Sequence, residues 1–221
     1  EPYPVCSLWR GKGPRTDPQK DLIFVCPKRF YAVDFLTEVI KHCWAGEAPK
    51  NPRVAPEVKM EGFGNVDFVI ADVGQDGEVE QFLSVELQAI DITGSAFNAY
   101  QALRAGEDLE KKPTYGFNWD NVYKRYITQL IRKGYFHHHW KSKIVAVIPE
   151  QVYEYIKGRA GFMRSPDVNI IFMTYCLEAD PERPGEYRPK LVTVEGTSHS
   201  NLQNAILYKQ APLKEAFTLQ I

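Results

Sequence analysis

The sequence predicts an α/β protein with a mixed central sheet flanked by helices. Three observations carry that prediction. Residues 62–95 hold two apolar runs joined by Gly74-Gln75-Asp76-Gly77-Glu78, and the Asp-Gly pair favours a tight antiparallel hairpin. Residues 121–133 form an amphipathic helix, with Val122, Tyr126, Leu130 and Tyr123, Ile127, Ile131 in i, i+4 rows. Residues 143–148 are apolar and largely β-branched, a buried strand that the helix would bring into the hairpin sheet in parallel. The resulting order is helix, hairpin, helix, strand, helix, strand.

At 221 residues, 44% hydrophobic and 13% aromatic, the chain can bury a sizeable core in one compact domain. Residues 1–50 read as an N-terminal arm and helix, and residues 51–221 as the core proper. The net charge of −1 gives no global attraction to nucleic acid, so DNA binding would rest on local basic patches. No apolar run approaches the ~18 residues of a membrane span, and no signal peptide is visible. The four cysteines do not suggest a disulfide scaffold, so a reducing cytoplasm is the expected location. The chain begins at Glu1 rather than Met, and an upstream segment is expected.

Taken in order, residues 1–20 are rich in Pro, Gly, Lys and Arg and predict an irregular arm. Residues 28–45 predict a helix, with Phe30, Val33, Leu36, Ile40 and Cys43 among its apolar positions. A Pro-rich connection precedes a short strand over 57–60, and Gly62 and Gly64 turn the chain into the Asp67 strand. A short helix is expected over 96–104, then a loop over 106–118. Asp120 is the expected N-cap and Gly134 the expected C-cap of the amphipathic helix. Pro149 opens another helix, 168–177 and 191–194 are strands, and 201–207 is a final helix.

Three polar groups sit inside the hairpin: Asp67, Glu86 and Gln88. Glu86 and Gln88 are two apart and share one strand face, and the hairpin would bring Asp67 to it. Burying an ionised carboxylate is costly unless it is paired or binds a metal. Two carboxylates and an amide suit a hard cation such as Mg²⁺, which can acidify water and offset phosphate charge in phosphodiester hydrolysis. The same alternation also fits a solvated strand face. His137, His138 and His139 are read as a solvated loop, since adjacent residues of an extended chain point in alternate directions. Neither a G-x-S-x-G elbow nor a Walker A loop is present.

Asp67, a hairpin, then Glu86-x-Gln88 resembles the PD-(D/E)XK nuclease signature with Gln in place of the usual Lys. More specifically, V-E-L-Q-A-I-D-I-T-G-S resembles the active-site strand of the NotI family of type II restriction endonucleases. Three further stretches, at 24–30, 121–130 and 147–153, look similar in the same order as in the family. The resemblance implies a PD-(D/E)XK core, Asp67 and Glu86 as Mg²⁺ ligands, and Gln88 orienting water or a phosphate oxygen. It also implies a further catalytic Glu near Glu57, with Glu61 its rival. The family carries an N-terminal four-cysteine site, and Cys6 and Cys26 match its last two ligands, for structural Zn or Fe. Two thiolates are too few for a tetrahedral site. They are either ordinary buried thiols or a remnant completed by Cys43, His42 or residues outside this chain.

The expected activity is therefore metal-dependent cleavage of double-stranded DNA by a homodimer, one site per strand. The alternative is a non-catalytic DNA- or protein-binding module on the same fold; a third reading is a repair or defence nuclease. Candidate DNA contacts are Lys124, Arg125 and Arg29, with Arg10, Lys12, Arg15, Lys28, Arg132 and Lys133 behind them. Lys124, Arg125, Arg132 and Lys133 are expected on the polar side of one helix.

Overall fold

The structure, a computed structural model, describes residues 5–10, 21–108, 115–162, 164–165, 167–208 and 218–219. A hairpin, β1 (Ser7–Trp9) and β2 (Leu22–Phe24), opens the described chain. The expected irregular arm thus contains a paired strand; Lys12 and Arg15 lie outside the described residues. A 3₁₀ segment, Pro27–Ala32, precedes helix α1 (Phe35–Cys43), where one continuous helix was expected. The break has a local cause. Asp34 caps α1 by accepting the Thr37 N–H at 3.1 Å, which restarts the chain at Phe35.

Three antiparallel strands follow: β3 (Pro52–Met60), β4 (Gly64–Val73) and β5 (Val79–Leu87). The β4–β5 turn forms where the Asp-Gly pair predicts it, with Gly77 at φ 85°. The strand predicted over 57–60 starts five residues earlier, paired with β4 from Pro52↔Asp72 onward. A small ladder joins β6 (Ile92–Thr93) to β7 (Gly116–Phe117), with helix α2 (Phe97–Ala105) between them.

One helical run then spans 119–139. It comprises α3 (Trp119–Asn121), a π turn (Val122–Tyr126) and α4 (Ile127–His139). Asn118, not Asp120, is its N-cap, accepting the Asn121 N–H at 3.2 Å. Gly134 does not end it. A Cβ there would lie 2.7 Å from Ile170 Cδ1, so the glycine permits a close approach to the sheet. The helix runs on through the three histidines, which contradicts the expected loop. His137 is buried, while His138 and His139 are exposed.

β8 (Lys143–Pro149) pairs parallel with β5, as a helical crossover requires. Helix α5 (Glu150–Ala160), β9 (Ile170–Ala179), β10 (Tyr187–Thr197) and helix α6 (His199–Leu207) complete the fold. The six strands stand in the order β10-β9-β8-β5-β4-β3, a mixed sheet. Alternate residues of β8 feed two cores: Ile144, Ala146 and Ile148 pack with Ile127, Leu130, Val152 and Leu202, while Val145 and Val147 pack with Phe24, Phe30, Phe35 and Val39. Both faces are therefore covered, which explains why β8 reads as a continuous apolar run. Residues of 22–43 contribute to the second core, so the N-terminal segment packs on the sheet.

Candidate active site

Register decides which polar groups meet. Phe68 pairs with Val85, so Glu86 lies one step further on, opposite Asp67. Pro56 pairs with Phe68 and Val58 with Val66, which puts Glu57 opposite Asp67 on its other side. Glu86 in turn pairs with Ala146 of β8. Glu57, Asp67 and Glu86 thus form one transverse row across β3, β4 and β5. Ala146 belongs to the core beneath the 119–139 helix, so Glu86 faces that helix.

The β4–β5 ladder ends at Phe68↔Val85. Beyond it, Asp67 Oδ2 accepts the Leu87 N–H at 2.7 Å, so a side chain takes over where the two backbones part. β5 instead stays with β8, and the Gln88 N–H reaches the Val147 carbonyl at 3.1 Å. The strands fork at the carboxylates. Glu57 is exposed, with φ 51°, a left-handed value rare outside glycine that lifts it out of the β3 ladder. Glu61 lies in the turn after Met60, off the row.

The helix supplies what the strands lack. The Lys133 ammonium donates to Glu86 Oε1 and, at 2.7 Å, to the Asn65 carbonyl of β4. Lys133 was expected on the polar helix face; it is buried, with only 7% of its side chain exposed. Burial pushes the Glu86 carboxyl up to about 7, the Lys133 charge pulls it down, and the Asp67 charge adds to the rise. Tyr126, at the end of the π turn, is also buried there. Its hydroxyl has no hydrogen-bond partner among the described residues. Its pKa is raised by burial and then by the charges of Glu86 and Asp67. No periodicity signal distinguishes Tyr126 from an ordinary core residue; the π turn, a feature common at functional sites, is visible only in the backbone.

Next to these groups is a cleft of about 280 Å³, lined by Gln88, Asp91, Asn121, Arg125, Tyr126 and Gln129 among others. The Gln88 amide donates to the Ala89 carbonyl. Asp91 accepts from the Asn121 side chain and so ties the segment after β5 to the helix. Arg125 opens onto the cleft, and Lys124 is exposed with a surface contact to Asp120 at 3.3 Å. Arg29 is placed elsewhere: its guanidinium donates to the Tyr187 carbonyl and anchors the 3₁₀ segment to β10. Arg132 lies over the Phe63 ring, 4.6 Å from its centroid.

The donor set around the fork is all oxygen, the ligand chemistry of Mg²⁺ rather than Zn²⁺. Among the described residues no group of three or more His, Cys, Asp or Glu is placed to hold a metal. Two carboxylates completed by water fit a cation that keeps much of its hydration. The Cys6 and Cys26 thiols come within hydrogen-bonding reach, and burial raises the Cys6 pKa first, Cys26 second. No third ligand joins them among the described residues. Cys43 sits in the apolar core with its thiol pushed up to about 12 by burial, so it does not complete that pair.

The fold is of the α/β class, a mixed sheet flanked by helices, with a row of acids beside a helix-borne ammonium. The family profile of the restriction endonuclease NotI matches residues 2–188, and the chain belongs to that family of DNA endonucleases. The match takes in the acidic row, the helical run and β8. No curated protein and no solved structure matches the chain.

Proposed function

We propose that the chain is a Mg²⁺-dependent, type II restriction endonuclease built on a PD-(D/E)XK core, hydrolysing phosphodiester bonds in double-stranded DNA. The observation that carries this is the row of Glu57, Asp67 and Glu86 at the strand fork. Asp67 and Glu86 would hold the ion, with Glu57 at the sheet edge as a third acid within reach of water. Mg²⁺ in that position supplies charge compensation for the scissile phosphate and a more acidic water. Gln88, which lines the cleft, would orient water or a phosphate oxygen through its amide. Lys124 and Arg125 offer positive charge to the phosphate track beside the cleft. Two copies, each cutting one strand, match a symmetric duplex site.

The test is a plasmid digest by purified protein, with Mg²⁺ and with chelator, alongside Asp67→Asn and Glu86→Gln. Discrete fragments with Mg²⁺, none with chelator, and a loss of at least ~100-fold in each variant are expected. Cleavage that survives chelation, or either variant cutting at the wild-type rate, would sink the metal-site reading. A smear in place of bands would point to a nuclease without strict sequence preference. DNA binding with no cleavage under any divalent ion would leave a binding module. Sedimentation of the protein on a palindromic duplex should show two chains per DNA.

A further inference from the structure

Lysine is rarely buried, and then only with partners. Lys133 is buried in the middle of the site, reaching from α4 across the fork to Glu86 on β5 and Asn65 on β4. Folding alone gives little reason for it. A methionine would fill the same space, and apolar replacement of a buried ion pair is often neutral or stabilising. Function gives a reason. The row of acids and an incoming phosphate are all negative, and Gln88, on the same strand face as Glu86, is neutral. Among the described residues Lys133 is the cation in contact with the row. An ammonium carries three N–H donors, and two are engaged here, by Glu86 and Asn65.

We propose that Lys133 is the positioning residue of this site, delivering from the helix the positive charge that the catalytic strand lacks. It fixes the Glu86 carboxylate in one orientation and ties β4 to β5 where their ladder ends. It also competes with a divalent ion for Glu86. Removing it should therefore slow the reaction while tightening ion binding, a combination that a purely structural prop does not produce. The inference rests on the nuclease reading above, but its ion-binding arm does not need turnover.

The experiment compares wild type, Lys133→Met, Lys133→Arg and the double variant Gln88→Lys/Lys133→Met. Single-turnover cleavage is measured at saturating Mg²⁺, Ca²⁺ affinity by calorimetry without DNA, and folding by thermal melt. Lys133→Met should cut about 100-fold more slowly and bind Ca²⁺ roughly threefold to tenfold more tightly. Lys133→Arg keeps the charge and should retain more activity than the methionine variant. Gln88→Lys/Lys133→Met returns an ammonium to the same face from the strand and should recover about tenfold over Lys133→Met. Lys133→Met cutting within about twofold of wild type, or unchanged Ca²⁺ affinity, overturns the proposal. So does a Lys133→Met protein that melts far below wild type while the double variant regains no activity. A wild type that never cuts removes the nuclease reading, and the Ca²⁺ comparison still decides whether Lys133 and a divalent ion share Glu86.

Discussion

Tyr126 brings an unpaired buried hydroxyl to within the influence of two carboxylates. Leaving such a group unsatisfied costs about 1–3 kcal/mol, so its retention calls for a partner that arrives with substrate or water. Tyr126→Phe should fold with unchanged or slightly higher stability and cut at least ~10-fold more slowly. A phenylalanine variant that cuts at the wild-type rate removes the hydroxyl from the site. At this scale the sequence was legible where strands carry the groups. Asp67, Glu86 and Gln88 could be placed because a strand has a fixed period of two. Lys133 and Tyr126 could not. A lysine in a helix reads as solvated and a tyrosine as core, and only the packing of helix on sheet reveals that both face the acids. Glu57 also stayed ambiguous, because its place opposite Asp67 is fixed by the register of its neighbours on β3, and its own left-handed backbone is not announced by spacing.

The 119–139 run is the element that completes the site, and its seating depends on Gly134. A methyl group there would press on Ile170 Cδ1 at 2.7 Å and Cγ1 at 2.8 Å, inside a closed core. Gly134→Ala should lose about 1–3 kcal/mol from overpacking, outweighing the ~1 kcal/mol that alanine brings to a helix. Gly158 in α5 provides the control, since a Cβ there would meet nothing within 4 Å. Gly158→Ala should gain roughly 0.5–1 kcal/mol. Urea unfolding midpoints of the two variants should move in opposite directions; a shift of the same sign would show that Gly134 does not set the helix–sheet distance. The sequence marked this helix through its apolar rows, and missed its length because glycine so often ends a helix. Here glycine serves proximity instead.

At the level of the whole molecule, parallel pairing of β5 with β8 and the antiparallel hairpin were both readable from run length, turn chemistry and the intervening helix. The N-terminal hairpin was not, because three-residue strands carry too little pattern. Stability should also depend on acid through His137. It is buried against Ser142, its Nδ1 3.2 Å from the hydroxyl, and burial, aided by the Lys133 charge, lowers its pKa to about 4. In the unfolded chain a histidine titrates near ~6.5. The unfolded state therefore takes up the proton first. The contribution is complete above that value and is lost as pH falls towards about 4, amounting to roughly 3 kcal/mol or less. Between pH 7 and 4.5, wild type should lose more unfolding free energy than His137→Gln; equal losses would show that this histidine is protonated in the fold.

The left-handed backbone at Glu57 has a consequence for assembly. β3 is an outer strand of the sheet, and a bend midway along such a margin spoils it as a template for another extended chain. Two copies of this protein are thus steered away from joining their sheets side by side along β3. That flank, with its acids, is left open to the solvent from which a duplex would approach.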